Sequence, residues 1–65
     1  MQMFEENSDQ IVDQLKLISE QLGDKALLVL KQAHAAGESK RPDAERTLTQ
    51  ARRAVEKAIS LLTRS

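Results

Sequence analysis

Apolar residues recur through the first half of the chain at steps of three and four: Ile11, Leu15, Ile18, Leu22, Ala26, Val29, Ala33 and Ala36. At about 100° per residue they fall within an arc of roughly 80°, which predicts one amphipathic helix over about residues 8–36. Asn7 or Ser8 is placed to cap its start, with Gln10 completing a capping box, and residues 1–7 read as a frayed leader. Gly23-Asp24 offers a possible break that would make three helices. The apolar phase from Leu22 to Ala26 to Val29 is kept across the glycine, however, which favours one long helix with a weak point worth about 1 kcal/mol relative to alanine.

A second stripe follows the turn. Ala44, Leu48, Ala51, Val55, Ala58 and Leu62, with Ile59 alongside, form a heptad seam rich in alanine, and predict a helix over about residues 42–63. Between the stripes, Gly37 suits a C-capping position, residues 37–41 form the turn, and Pro42 suits the first position of the next helix, with Asp43 and Glu45 in its first turn. No segment alternates apolar and polar residues over strand length. So short a turn sets the helices antiparallel. The expected fold is an all-α, two-helix antiparallel hairpin, coiled-coil-like, spanning residues 8–65 as a single domain.

Length changes what this pattern means. A 65-residue chain holds one domain at most, and a core of this size rarely supplies more than about 3–5 kcal/mol without a staple. Cysteine is absent, so disulfides and thiolate metal sites are excluded. His34 and Glu38 are four residues apart but straddle the helix end at Gly37. The histidine therefore reads as solvent-facing, and no metal or other cofactor is expected. No nucleophile–base–orienter set stands out, so no enzyme is expected. Gly37-Glu38-Ser39-Lys40 lacks the first glycine and the residue order of a phosphate loop. What remains to stabilise the chain is a partner or self-association.

The first helix carries more hydrophobic surface than one neighbour covers. Ala26-Leu27-Leu28-Val29-Leu30 is an unbroken apolar run, and Leu17, Leu28 and Ala35 form a second stripe away from the main seam. Val12 and Leu30 flank the seam, Leu27 lies further round, and Leu61 and Ala54 repeat the off-seam placing on the second helix. An apolar patch of this kind on a small chain marks an interface. Leu17, Leu27, Leu28, Leu30 and Leu61 are the candidate protein-binding residues.

Formal charge is zero but polarised. Residues 1–24 carry Glu5, Glu6, Asp9, Asp13, Glu20 and Asp24 against Lys16, while the remainder is correspondingly basic. In an antiparallel hairpin Asp9, Asp13 and Glu20 are expected to face the end carrying Arg52, Arg53, Lys57 and Arg64. The basic second helix raises RNA binding as an alternative, since hairpins that dimerise into four-helix bundles can bind structured RNA. Phe4 is the only aromatic residue, though, which leaves nothing to stack on bases, and no nucleic acid is expected. No apolar run is long enough for a membrane span, and Met1 to Asp9 is acidic rather than signal-like. A cytoplasmic location follows as the expectation.

Ala26-Leu27, Leu30-Lys31, Gly37, Lys40 and Ala54-Val55-Glu56-Lys57-Ala58-Ile59-Ser60-Leu61-Leu62 resemble the small E-type co-chaperones of type III secretion needles. An AL…LK helix end, a glycine-containing turn and an A-x-E-x-A-I second helix recur in that virulence-associated family. The tyrosine its members carry early in the second helix is missing here. The resemblance implies a cytoplasmic hairpin that joins a tetratricopeptide-like chaperone in keeping a needle subunit soluble and monomeric before export. A self-assembling four-helix-bundle adaptor is the other reading, with a homo-oligomer when the chain is alone.

Overall fold

Two helices account for nearly the whole chain: α1, Gln2–Ala35, and α2, Asp43–Thr63. The structure, a computed structural model, describes the backbone of residues 2–64 and the side chains of residues 8–64. The helices pack against each other along their length as an antiparallel hairpin, a rod 54 Å long. The all-α hairpin read from the apolar pattern is the fold.

α1 is unbroken through Gly23. It is also under way at Gln2, so Asn7 and Ser8 lie inside the helix instead of capping it, and the expected leader of residues 2–7 follows the helical path. No glycine or proline precedes Gly23, so nothing in the sequence stops the helix from extending toward the chain start. Met1 lies outside the described residues.

The end of α1 is closed by paired backbone bonds. The Glu38 N–H donates to the Ala33 carbonyl at 3.0 Å and the Gly37 N–H to the His34 carbonyl at 2.9 Å, the double bond of a Schellman cap. Gly37 sits at φ +83°, a left-handed conformation that costs glycine nothing. The chain then extends to Pro42, at φ −63° and ψ 145°. Pro42 is therefore the N-cap and not, as expected, the first helical residue. Its carbonyl accepts the N–H groups of Glu45 and Arg46 at 3.1 and 3.2 Å. Proline has no side-chain acceptor to cap with, so Asp43 and Glu45 supply the negative charge that suits this helix end.

The α1 seam is rotated from the expected one. Val12, Leu15, Ser19, Leu22, Ala26, Val29 and Ala33 are buried or half-buried, stepping alternately by three and four, the strict heptad of coiled-coil packing. Ile11 and Ile18, expected in the seam, are 45% and 41% exposed, and Ala36 is exposed as well. Reading by hydrophobicity alone chose Ile18 over Ser19. The heptad chose Ser19, whose hydroxyl finds partners across the seam. On α2 the expected Leu48, Ala51, Val55, Ala58, Leu62 and Ile59 are half-buried, but Ala44 is exposed and Glu45 takes the buried place beside it.

This core is thin. Val12 and Ala26 are its only buried hydrophobic residues among those described, and no large side chain there is fully enclosed. The alanines let the helices approach, but they bring little apolar area at roughly 25 cal/mol per Å².

Candidate interaction surface

An antiparallel helix pair has two long flat faces, one on each side of the plane holding both axes. Helical periodicity decides which residues each face receives. Here the two faces differ in chemistry.

One face is charged. From α1 it takes Asp9, Lys16, Glu20 and His34, with Leu27 among them, and from α2 Arg52 and Glu56, all exposed. A polar cluster crosses the helix pair on this side. The Arg52 Nε donates to Ser19 Oγ at 3.2 Å and lies 3.5 Å from Glu56 Oε2, while Ser19 Oγ donates to that carboxylate at 3.3 Å. Gly23 makes room for it: a Cβ there would come within 2.6 Å of the Arg52 Nη1. The glycine that looked like a weak point in the helix thus lets the guanidinium lie across α1.

Nearer the turn, Glu45 is held by Arg41 and Thr49. Both guanidinium nitrogens Nε and Nη2 of Arg41 donate to its carboxylate, and Thr49 Oγ1 adds a bond of 2.8 Å. These hydrogen bonds, Arg41's first and Thr49's second, hold the Glu45 carboxyl below its usual range against the opposing effect of burial. The same bond raises the Arg41 guanidinium. Leu30, Ala33 and His34 with residues 38–41 line a shallow depression of about 210 Å³ beside this clamp. Among the described residues, no group of three or more histidine, cysteine or acidic side chains is placed to hold a metal ion. No helix there is long and apolar enough to cross a membrane.

The opposite face is poor in charge on α1 and carries Asp43 on α2, in line with Leu61. Exposed Ile11 and Ile18 project from α1, and exposed Thr47, Ala54 and Leu61 from α2. The surface continues round the outer side of α1 through Leu17 and Leu28, 56% and 47% exposed. Gln10, Gln14, Gln21 and Gln32 fill the spaces between these residues; of the described charged residues Lys25 stands among them, and Asp13 and Asp24 border Leu17 and Leu28 on the outer edge. Among the described residues, five of the six exposed large hydrophobics, Ile11, Leu17, Ile18, Leu28 and Leu61, lie on this side.

The structure therefore divides the sequence-derived candidates. Leu17, Leu28 and Leu61 are exposed on this side of the hairpin, spread along its length. Leu27, 51% exposed, stands among charges on the other face. Leu30 is half-buried at the edge of the seam, next to the turn. Ile11 and Ile18, expected in the seam, belong to the surface. The signal that would have found them is the unbroken heptad from Val12 through Ser19 to Ala33, which leaves both isoleucines off the seam.

The expected pairing of acidic α1 with basic α2 takes a different form. Among the described residues no salt bridge joins the helices: Arg41 pairs with Glu45, Arg46 with Asp43 and Arg52 with Glu56. Arg46, Arg53, Lys57 and Arg64 recur on the outer edge of α2, turned away from α1 by the helical pitch. Compared with family models, curated proteins and solved structures, the chain matches none.

Proposed function

We propose that the chain is a protein-binding co-chaperone whose uncharged surface docks on a helical-repeat chaperone, the two together keeping a secretion needle subunit soluble and monomeric in the cytoplasm before export. The observation that supports a binding role is the exposure of Ile11, Leu17, Ile18, Leu28 and Leu61 along one side of a thin hairpin, a side poor in charge on α1. Depletion of charge with retained large apolar side chains is the composition of an interface centre. A free monomer gains nothing from it and keeps a large apolar patch in water. The type of partner comes from the resemblance of the AL…LK helix end and the A-x-E-x-A-I segment to the needle co-chaperones. A concave helical-repeat surface suits a straight hairpin 54 Å long.

The test is co-purification. Tagged chain recovered from its native cytoplasm should bring a helical-repeat chaperone and a small needle-type subunit in near-equal amounts. Leu28→Asp should abolish recovery while circular dichroism stays helical. Recovery undiminished by Leu28→Asp removes this face from the contact, and recovery of the bait alone removes the co-chaperone reading.

A further inference from the structure

We infer that in the absence of another partner the uncharged face is covered by a second copy of this chain, in a four-helix bundle that sets α1 of each copy against α2 of the other. Area and charge carry the inference. The chain exposes 5382 Å², so one long face of the rod offers on the order of 1,000 Å², against the roughly 800 Å² per partner of a standard stable interface. A two-fold interface brings the same patch together from both copies, which places like charges together wherever the patch is charged. Among the described residues this face carries few such charges: Lys25 on α1, whose long stem can carry the ammonium to the rim, and Asp43 at the turn end of α2.

Two two-fold arrangements join these faces, and the charges choose between them. With the axis across the helices, α1 lies on α1 and α2 on α2, so acidic edges meet and basic edges meet. With the axis along the helices, α1 of one copy lies on α2 of the other. The outer edge of α1, with Asp13 and Asp24, then runs beside the outer edge of α2, with Arg53 and Lys57. Every neighbouring pair of helices is antiparallel in both arrangements, so the edge charges are what distinguish them. The polarised charge of the sequence, which forms no salt bridge between the helices of one copy among the described residues, gains a role as the selector of partner helix.

The inference stands apart from the co-chaperone reading, since it concerns the chain alone. Sedimentation equilibrium of the full chain, from low to high micromolar concentration, tests it. The expected result is the mass of two chains at the upper end, with a melting temperature that rises with concentration, as linkage requires of a dimer. Ile18→Asp should weaken association by roughly a hundredfold or more, as expected of a charge placed in an interface centre. Leu27→Asp, on the charged face, should leave it unchanged. The pair Arg53→Glu and Lys57→Glu should weaken association by roughly tenfold at low salt and less at high salt. A single-chain mass at every concentration, with a melting temperature independent of concentration, overturns the dimer. Equal loss from Leu27→Asp and Ile18→Asp overturns the face. Unchanged or tighter association after the two charge reversals overturns the α1-on-α2 arrangement. Should Ile18→Asp fail to fold, the concentration dependence of melting in the unaltered chain still decides the dimer.

Discussion

The two flat faces of this hairpin are made by the same two helices and differ in almost everything else. On the charged face, side chains satisfy one another: Ser19, Arg52 and Glu56 share hydrogen bonds across the helix pair, and Glu45 is clamped by Arg41 and Thr49. On the uncharged face isoleucine, leucine and glutamine stand exposed. A stable, self-sufficient hairpin would need only the first kind. The contrast teaches that the polar contacts joining the helices gather on one face, while the other leaves its large apolar side chains exposed.

The largest effects should come from making the uncharged face resemble the other. Ile18→Asp or Leu61→Asp is expected to weaken association by roughly a hundredfold or more while a helical spectrum is kept, measured by sedimentation with circular dichroism on the same samples. Leu27→Asp is the matched change on the charged face and should be silent in both. Were all three to behave alike, the difference between the faces would carry no functional meaning.

Effects on the charged side should be smaller and confined to stability. Ser19→Ala removes a hydroxyl that bridges Arg52 and Glu56, and should cost about 1 kcal/mol in urea unfolding. At Gly37 the left-handed φ of +83° makes Gly37→Ala destabilising by about 1 kcal/mol. Acid should find the Glu45 clamp. Its carboxyl is held below the usual value of 4.5, so the stabilisation is fully present above that pH and is lost as pH falls through the lower folded value. Melting temperature followed from neutral pH downward should drop in this window, and Glu45→Gln should flatten the drop.

The smallest effect should be at Gly23. Alanine gains up to about 1 kcal/mol of helix propensity there, but its Cβ would displace the Arg52 guanidinium, now 2.6 Å from that position. Because the displaced group is the end of a flexible side chain, Gly23→Ala should come out slightly stabilising by thermal melting. A loss exceeding that of Ser19→Ala would mean that the crossing of Arg52 over α1 holds the seam together.

Much of this was legible in the sequence. The stripe on each side of Gly37-Pro42 defined the helices and the antiparallel hairpin, and the unbroken phase from Leu22 to Val29 correctly carried α1 through Gly23. The rotation of the seam was not legible from hydrophobicity, because Ile11 and Ile18 outrank Val12 and Ser19 on any apolar scale. What buries Ser19 is the heptad step together with Arg52 and Glu56 on the other helix, a relation between residues 33 and 37 positions apart. That error carried into the surface. Leu17, Leu28 and Leu61 are exposed as expected, because they lie off any seam; the two isoleucines expected in the core are exposed beside them, and Leu27 and Leu30 lie on the other side of the seam, as their helical positions had placed them. Which helix edge each charge occupies also needed the hairpin, since Arg53 and Lys57 turn outward from an α1 they were expected to meet.

The most direct test of the uncharged face as the binding surface is a side-by-side capture with three baits: the unaltered chain, Ile18→Asp and Leu27→Asp. The unaltered and Leu27→Asp baits should recover a helical-repeat chaperone and a needle-type subunit in near-equal amounts, and Ile18→Asp neither. Full recovery by Ile18→Asp, or loss confined to Leu27→Asp, would place the contact on the charged face and contradict the account.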